Sequence, residues 1–386
     1  MDGGGGALTL TLVDALDQIE KFTWDALANP ANEPFDPFLS WDFLQALEES
    51  ECVGARTGWQ PAHLIARDAA GAIVGAMPLY AKDHSYGEYV FDHAWADAMR
   101  RAGGHYYPKL QCAVPFTPVP GRRILARDPH VAAALAQGAI ALAQRADASS
   151  VHITFATEEL CDALQPLGYL TRAGLQYHWF NQGYRTFDDF LAALSSGKRK
   201  NVRRERAKAQ EIATIKRLRG ADIKPRDWDF FFRCYMDTGS RKWGSPYLNR
   251  AFFDALGARM ADRVVLFVAE HEGRPIASAL NLLGGDALYG RYWGRLADVP
   301  FLHFELCYYQ AIELAIELGL PRVEAGAQGE HKLARGYVPV QTYSSHWIAH
   351  RGLRDAVAQY LRAETPAVVE EAELLAEHAP FRKDRE

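Results

Sequence analysis

Apolar and polar positions fall into the same order twice along this chain. HLIARDAAGAIVGAMPLYAK (63–82) and VLFVAEHEGRPIASALNLLGG (265–285) each read as an apolar strand, a charged turn with a glycine, and a second apolar strand opening on small residues. Each is followed by an Ala/Leu-rich helix and one more strand. In the first half these are VAAALAQGAIALAQRA (131–146) and SSVHITFA (149–156); in the second they are HFELCYYQAIELAIELG (303–319) and RVEAGAQ (322–328). A repeat of roughly 200 residues is far longer than the about 20–50 of a solenoid. The pattern therefore predicts two copies of one α/β domain.

The remaining pattern predicts a strand and short helix over 8–28, a loop to Pro37, and a helix over 38–50 capped by Ser40. The Gly-, Pro- and aromatic-rich stretch 83–128 predicts short strands and long loops. A helix over 187–212 opens at Thr186, with Asp188 and Asp189 in its first turn, where carboxylates suit the helix dipole. A further helix covers 227–237, a final strand 342–350, and a helical tail 353–378 broken near Pro366. The boundary falls near 170–186, giving domains of 1–175 and 176–386.

Composition narrows the class. With 386 residues, 48% of them apolar and 24% charged, the chain has enough apolar material for two cores. A net charge of −5 argues against a dedicated nucleic-acid binder while leaving room for a local basic patch. No apolar run approaches the about 20 residues of a membrane span, and the first residues lack a signal-peptide pattern. The five cysteines are scattered without CxxC spacing, so neither structural zinc nor a disulfide framework is expected. The expected compartment is the cytoplasm.

Three stretches resemble the Fem-type branch of the acyl-CoA N-acyltransferase (GNAT) superfamily: PFLSWDFLQAL (37–47), SSGKRKNVRRERAKAQ (195–210) and VEAGAQGEHKLARGYVPVQTYSSHW (323–347). The whole chain is similar to proteobacterial predicted N-acyltransferases of the peptidoglycan biosynthesis/recognition type. The resemblance implies an α/β fold of two tandem GNAT-like domains, each a mixed sheet flanked by helices, with the donor in the second. It implies an N-acyltransferase that moves an acyl group from acyl-CoA or an acyl carrier protein to a primary amine, such as a long-chain amino alcohol in bacterial ceramide synthesis. The thioester is then a co-substrate, and no permanently bound cofactor is implied. Partners are a small acyl donor and an amine acceptor, with peripheral contact to an anionic inner membrane also open. Two alternatives stand beside this: aminoacyl transfer from tRNA to a peptidoglycan precursor, and a non-catalytic protein binding cell-wall or lipid ligands. One departure matters. GRYWGRLADVPFLH (290–303) lacks the glycine pair with which ordinary acetyltransferases hold the pyrophosphate of coenzyme A at a helix N-terminus.

Candidate chemistry concentrates in the second half. KRKNVRRERAK (198–208) sets seven cations against one Glu, and Lys200, Arg203 and Arg204 suit phosphate or an anionic surface; the alternative is a solvated helix face. EAGAQGEHKLARGY (324–337) places polar groups after a strand, where α/β ligands sit. There Glu324, Glu330 and His331 suit proton acceptance from an attacking ammonium, and Lys332 and Arg335 suit phosphate or carboxylate. Glu305 joins the candidate bases, unless it only complements the helix dipole. Tyr289, Tyr292 and Trp293 on the strand beside the thioester, and Lys242 and Trp243 in a loop, are candidate substrate contacts. In that strand a backbone N–H is expected to polarise the donor carbonyl. In the first half, His93 and Tyr107 are expected to shape a cleft; the spacing of the nearby histidines and Asp92 matches no metal motif.

Overall fold

The computed structural model describes residues 7–241, 246–326 and 329–382. The chain divides into two compact units: Met1–Gly174 with Gln341–Glu370, and Leu175–Val340 with Glu371–Glu386.

The first unit begins with β1 (Thr9–Val13), α1 (Lys21–Ala28) and α2 (Trp41–Glu49). The Ser40 side chain accepts from the Phe43 amide, as its cap position predicts. There follow β2 (Trp59–Pro61), β3 (His63–Arg67), β4 (Ile73–Met77) and β5 (Leu79–Lys82). β3 and β4 form the expected hairpin, but Pro78, which has no N–H for a ladder, ends β4. β4 lies in a four-stranded sheet, while β5 pairs β2 in another.

Between 83 and 128 the chain forms a helix the pattern did not predict, α3 (His93–Arg101). Its buried face is only Trp95 and Met99, an i,i+4 pair too short to show a period. β6 (Lys109–Cys112), β7 (Leu125–Ala126), α4 (Pro129–Arg145), β8 (Ser150–Ala156) and α5 (Glu158–Leu164) complete this stretch. β6 and β8 run parallel, joined by α4 as a crossover. Leu135, Ala136 and Ala139 of α4 pack on Leu64, Met77, Leu110 and Ile153.

The second unit repeats that plan. Its elements are β9 (Leu170–Phe180), α6 (Phe187–Ala193), α7 (Ser196–Ile212), β10 (Thr214–Arg219), α8 (Pro225–Arg241) and α9 (Arg250–Arg259). Next come β11 (Val264–His271), β12 (Arg274–Leu283) and β13 (Ala287–Arg295). α10 (Leu302–Phe304) passes through a π-helical turn, Glu305–Tyr309, into α11 (Gln310–Glu317), and β14 (Arg322–Glu324) follows. β10 to β13 form an antiparallel meander, and β13 pairs β14 in parallel. The predicted helix over 187–212 is two helices, because Leu194 turns extended and is buried in the core. Thr186 and Asp189 form a reciprocal cap at the start of α6.

β15 (Val338–Ile348) and α12 (Arg351–Glu377) end the chain, and α12 continues through Pro366, contrary to the predicted break. The proline is exposed, so water can take the carbonyl it leaves unbonded. The first unit takes its last strand from the far end of the sequence. β9 follows β8 in the chain but pairs β14; β15 follows β14 but pairs β8. No helix among the described residues is long and apolar enough to cross a membrane.

Candidate functional site

The site is built where β13 and β14 part. They pair only over Ala287–Tyr289 and Arg322–Glu324, after which β13 runs on to Arg295 while β14 ends. The register of β12 on β13 shifts at the same place: Asn281 faces Gly290 and Leu280 faces Tyr292, so Arg291 is an extra residue. Such a bulge leaves one residue out of the ladder and re-aims the side chains beyond it. Tyr292 consequently packs with Tyr235 and Phe253, whereas Trp293 turns to the opposite face, 5.1 Å from the His303 ring. Tyr289 is buried and accepts from Arg322 at 3.3 Å. The three aromatics therefore do not line one slot.

On the Trp293 face, α10 and the π turn bring up His303, Phe304 and Tyr308. Tyr308 Oη lies 2.8 Å from His331 Nε2, and the His303 and His331 ring centres are 6.0 Å apart. Burial, and then the charges of Arg335 and Lys332, hold His331 below the usual imidazole range, so it is neutral near pH 7 and able to accept a proton.

The loop after β14 is closed by its own lysine. Lys332 is 1% exposed, and its ammonium donates to the Gly326 carbonyl at 2.6 Å. Gly326 has φ +79°, a left-handed conformation suited to glycine. Burial pushes the Lys332 ammonium down to about 8. Among the described residues no carboxylate salt-bridges Lys332, which distinguishes it from Arg335. Arg335 makes a bidentate pair with Glu205 of α7, with N–O distances of 2.9 and 3.0 Å, and donates to the His331 carbonyl. Tyr309 also donates to Glu205. Arg335 is thus a clamp between loop and helix, not a free phosphate ligand.

Glu305 is likewise structural. It is fully buried and accepts from both Arg206 and Gln210 of α7 and from Gln310. Held by Arg206, Gln210 and Gln310, it sits as the buried half of an ion pair, whereas the sequence offered it as a candidate base. Glu324 differs. It is buried, Arg322 holds Oε1 at 2.9 Å, and among the described residues Oε2 has no hydrogen-bond partner, with His178 3.7 Å away. Burial raises its carboxyl above the usual range, partly offset by Arg322. Glu330 lies in the short helix Glu330–Arg335, but its side chain is outside the described residues, as are Lys242 and Trp243.

α7 has two ionic faces. Val202 and Ala209 pack inward beside Glu205 and Arg206, while Lys200, Arg203 and Arg204 are exposed; Arg203 meets the exposed Asp188 at 3.4 Å. In the first unit, His93 opens α3 beside the Tyr86 and Phe91 rings, and Tyr107 bonds Ser85 at 2.8 Å. Ser85, Glu88 and Asp92 all accept from the buried Lys109. Tyr308 and Asn281 escaped the sequence reading. Asn281 was detectable as a lone polar residue inside the apolar run ALNLL; the π turn that aims Tyr308 leaves no such mark.

A helical crossover between parallel strands in each unit, joined in the second by an antiparallel meander whose last strand splays from its parallel neighbour at a bulge, defines a mixed α/β protein of two units. The chain belongs to the FemAB-like family, described as peptidoglycan biosynthesis/recognition, whose model matches residues 15–383. No curated protein matches the sequence. Among solved structures the chain is similar to FemX, at 12% identity and TM-score 0.56, covering 88% of this chain and 98% of that one. L-PGS from Bacillus licheniformis is similar at 11% identity and TM-score 0.51, covering 92% and 100%. A tandem GNAT protein from the clavulanic acid biosynthesis pathway gives 12% identity and TM-score 0.49, covering 89% and 99%. At identities this low the likenesses to FemX and L-PGS speak to the fold alone.

Proposed function

We propose that the second unit is an amide-forming transferase that moves an acyl group onto a primary amine. The observation that carries this reading is the splay of β13 from β14 beside a bulge, with a neutral imidazole and a buried lysine at its edge. A carbonyl seated in the splay meets backbone N–H groups freed from the ladder, the donors a developing oxyanion needs. The amine attacks that carbon directly, and His331 takes the ammonium proton. Lys332 holds the loop that carries His331 and supplies positive charge next to it.

The donor in this reading is an acyl thioester, acyl-CoA or acyl carrier protein, and the acceptor a lipid amine such as a long-chain amino alcohol. The exposed cations of α7, the missing glycine pair and the family description favour a second donor, aminoacyl-tRNA, with a peptidoglycan precursor as acceptor. The test is an amide-product assay by mass spectrometry. Purified protein is given acetyl-, octanoyl- or palmitoyl-CoA, or charged tRNA, each with sphinganine or a peptidoglycan precursor. Amide from a thioester supports the first reading and amide from charged tRNA the second. Tight binding of a partner with no product from any pair overturns both in favour of a binding protein.

A further inference from the structure

Asn281 is 1% exposed, and among the described residues its Nδ2 has no hydrogen-bond partner. A buried amide donor left unpaired costs about 1–3 kcal/mol, so such a group is a poor choice for a strand interior unless something else occupies it. Its position says what. Asn281 stands opposite Gly290, the last paired residue before the bulge, and next to Gly290 is Ala325 at the end of β14. A Cβ on Gly290 would lie 3.5 Å from Asn281 Oδ1, 3.5 Å from the Glu324 carbonyl oxygen and 3.7 Å from the Ala325 Cα. Glycine therefore leaves a notch with the Asn281 amide on one side and the mouth of the splay on the other. Trp293, re-aimed by the bulge, is on this same face.

We infer that Asn281 is a side-chain donor to the carbonyl of the acyl donor, acting with the backbone of the bulge. This rests on the transferase reading of the same site. As the amine nitrogen attacks the carbonyl carbon, a C–N bond forms and the π pair moves onto oxygen, where the Asn281 N–H meets the new charge. On collapse the C–S or C–O bond to the leaving group breaks with its electron pair, and the proton held by His331 passes to that group. Turning the amide end over end exchanges Nδ2 and Oδ1, so the donor can be presented to the notch without moving the strand.

The test compares wild type, Asn281→Leu and Asn281→Asp in the product assay above, using the donor–acceptor pair that gives amide. Removing one oxyanion donor typically costs about 10²–10³-fold in turnover. Both variants are expected to lose kcat by that factor with KM for the donor little changed. Asn281→Leu is expected at the same time to keep or raise the melting temperature, because it removes an unpaired polar group without opening a cavity. A structural role predicts the reverse pairing: unaltered kcat per folded molecule with altered stability. Near-wild-type kcat in either folded variant overturns the assignment while leaving the transferase reading intact. If the wild-type protein makes no amide from any pair, both fall together.

Discussion

At the scale of single residues, the site separates groups that are tied from groups that are free. Arg335 and Glu305 are spent on α7, whereas His331 keeps one strong contact, Tyr308, and a depressed basicity. If His331 is the proton acceptor, His331→Ala should slow turnover by about 10²–10⁴-fold. The wild-type rate should fall only as pH drops below the ordinary imidazole range, because the depressed group stays neutral above it. A pH–rate profile that keeps this limb in His331→Ala would move the base to another group. Glu324 makes a stability prediction of definite sign. Its carboxyl is raised in the folded state, so the neutral form is favoured there and the contribution is full below the unfolded value of about 4.5. It is lost as pH rises through the folded value. Glu324→Gln should therefore flatten the fall in melting temperature with rising pH over that window; an unchanged curve counts against the buried, half-paired carboxylate.

At the scale of elements, α7 is the informative case. Its basic run looked uniform in sequence, yet the helix turns Glu205 and Arg206 inward and leaves Lys200, Arg203 and Arg204 outside. Removing one partner of a buried pair costs about 3–5 kcal/mol. Glu205→Ala strands Arg335 and the Tyr309 hydroxyl, so chemical denaturation should show a loss of that order. Arg203→Ala with Arg204→Ala should leave stability within about 0.5 kcal/mol. If tRNA is the donor, the same double variant should flatten the slope of log affinity against log salt by about 1.5. Equal stability effects from both substitutions would refute the two-faced reading of the helix.

At the scale of the whole molecule, the return of β15 makes the first unit depend on a segment from the far end of the chain. A chain ending at Val340 lacks β15, so β8 loses its antiparallel partner and His152 loses the Nδ1–Nδ1 contact of 2.7 Å with His346. Ile348, Leu353, Val357 and Leu361 also leave a cluster that includes Trp95 and Met99. The first unit of such a chain should fail to protect the amides of β8 against hydrogen exchange. Native-like protection of β8 would show that residues 1–174 fold without the returning strand.

The repeated pattern by itself determined the α/β class and the order of strand, turn, strand, helix and strand in each half, because apolar period, caps and turn residues are local quantities, and it offered the region after β14 as a candidate place for chemistry. It also marked His331 and Lys332, since charged residues next to a glycine loop are visible in any linear reading. Tertiary structure alone decided the rest. A bulge shows only when two strands are laid in register, so which face Tyr292 and Trp293 each take relative to Tyr289 could not be read from the sequence. Whether Glu305 is a free carboxylate or half of an ion pair depends on Arg206, 99 residues away, and whether Arg335 is a free cation depends on Glu205, 130 residues away. The exchange of strands is likewise a choice among partners with the same apolar alternation, made by packing and not by composition.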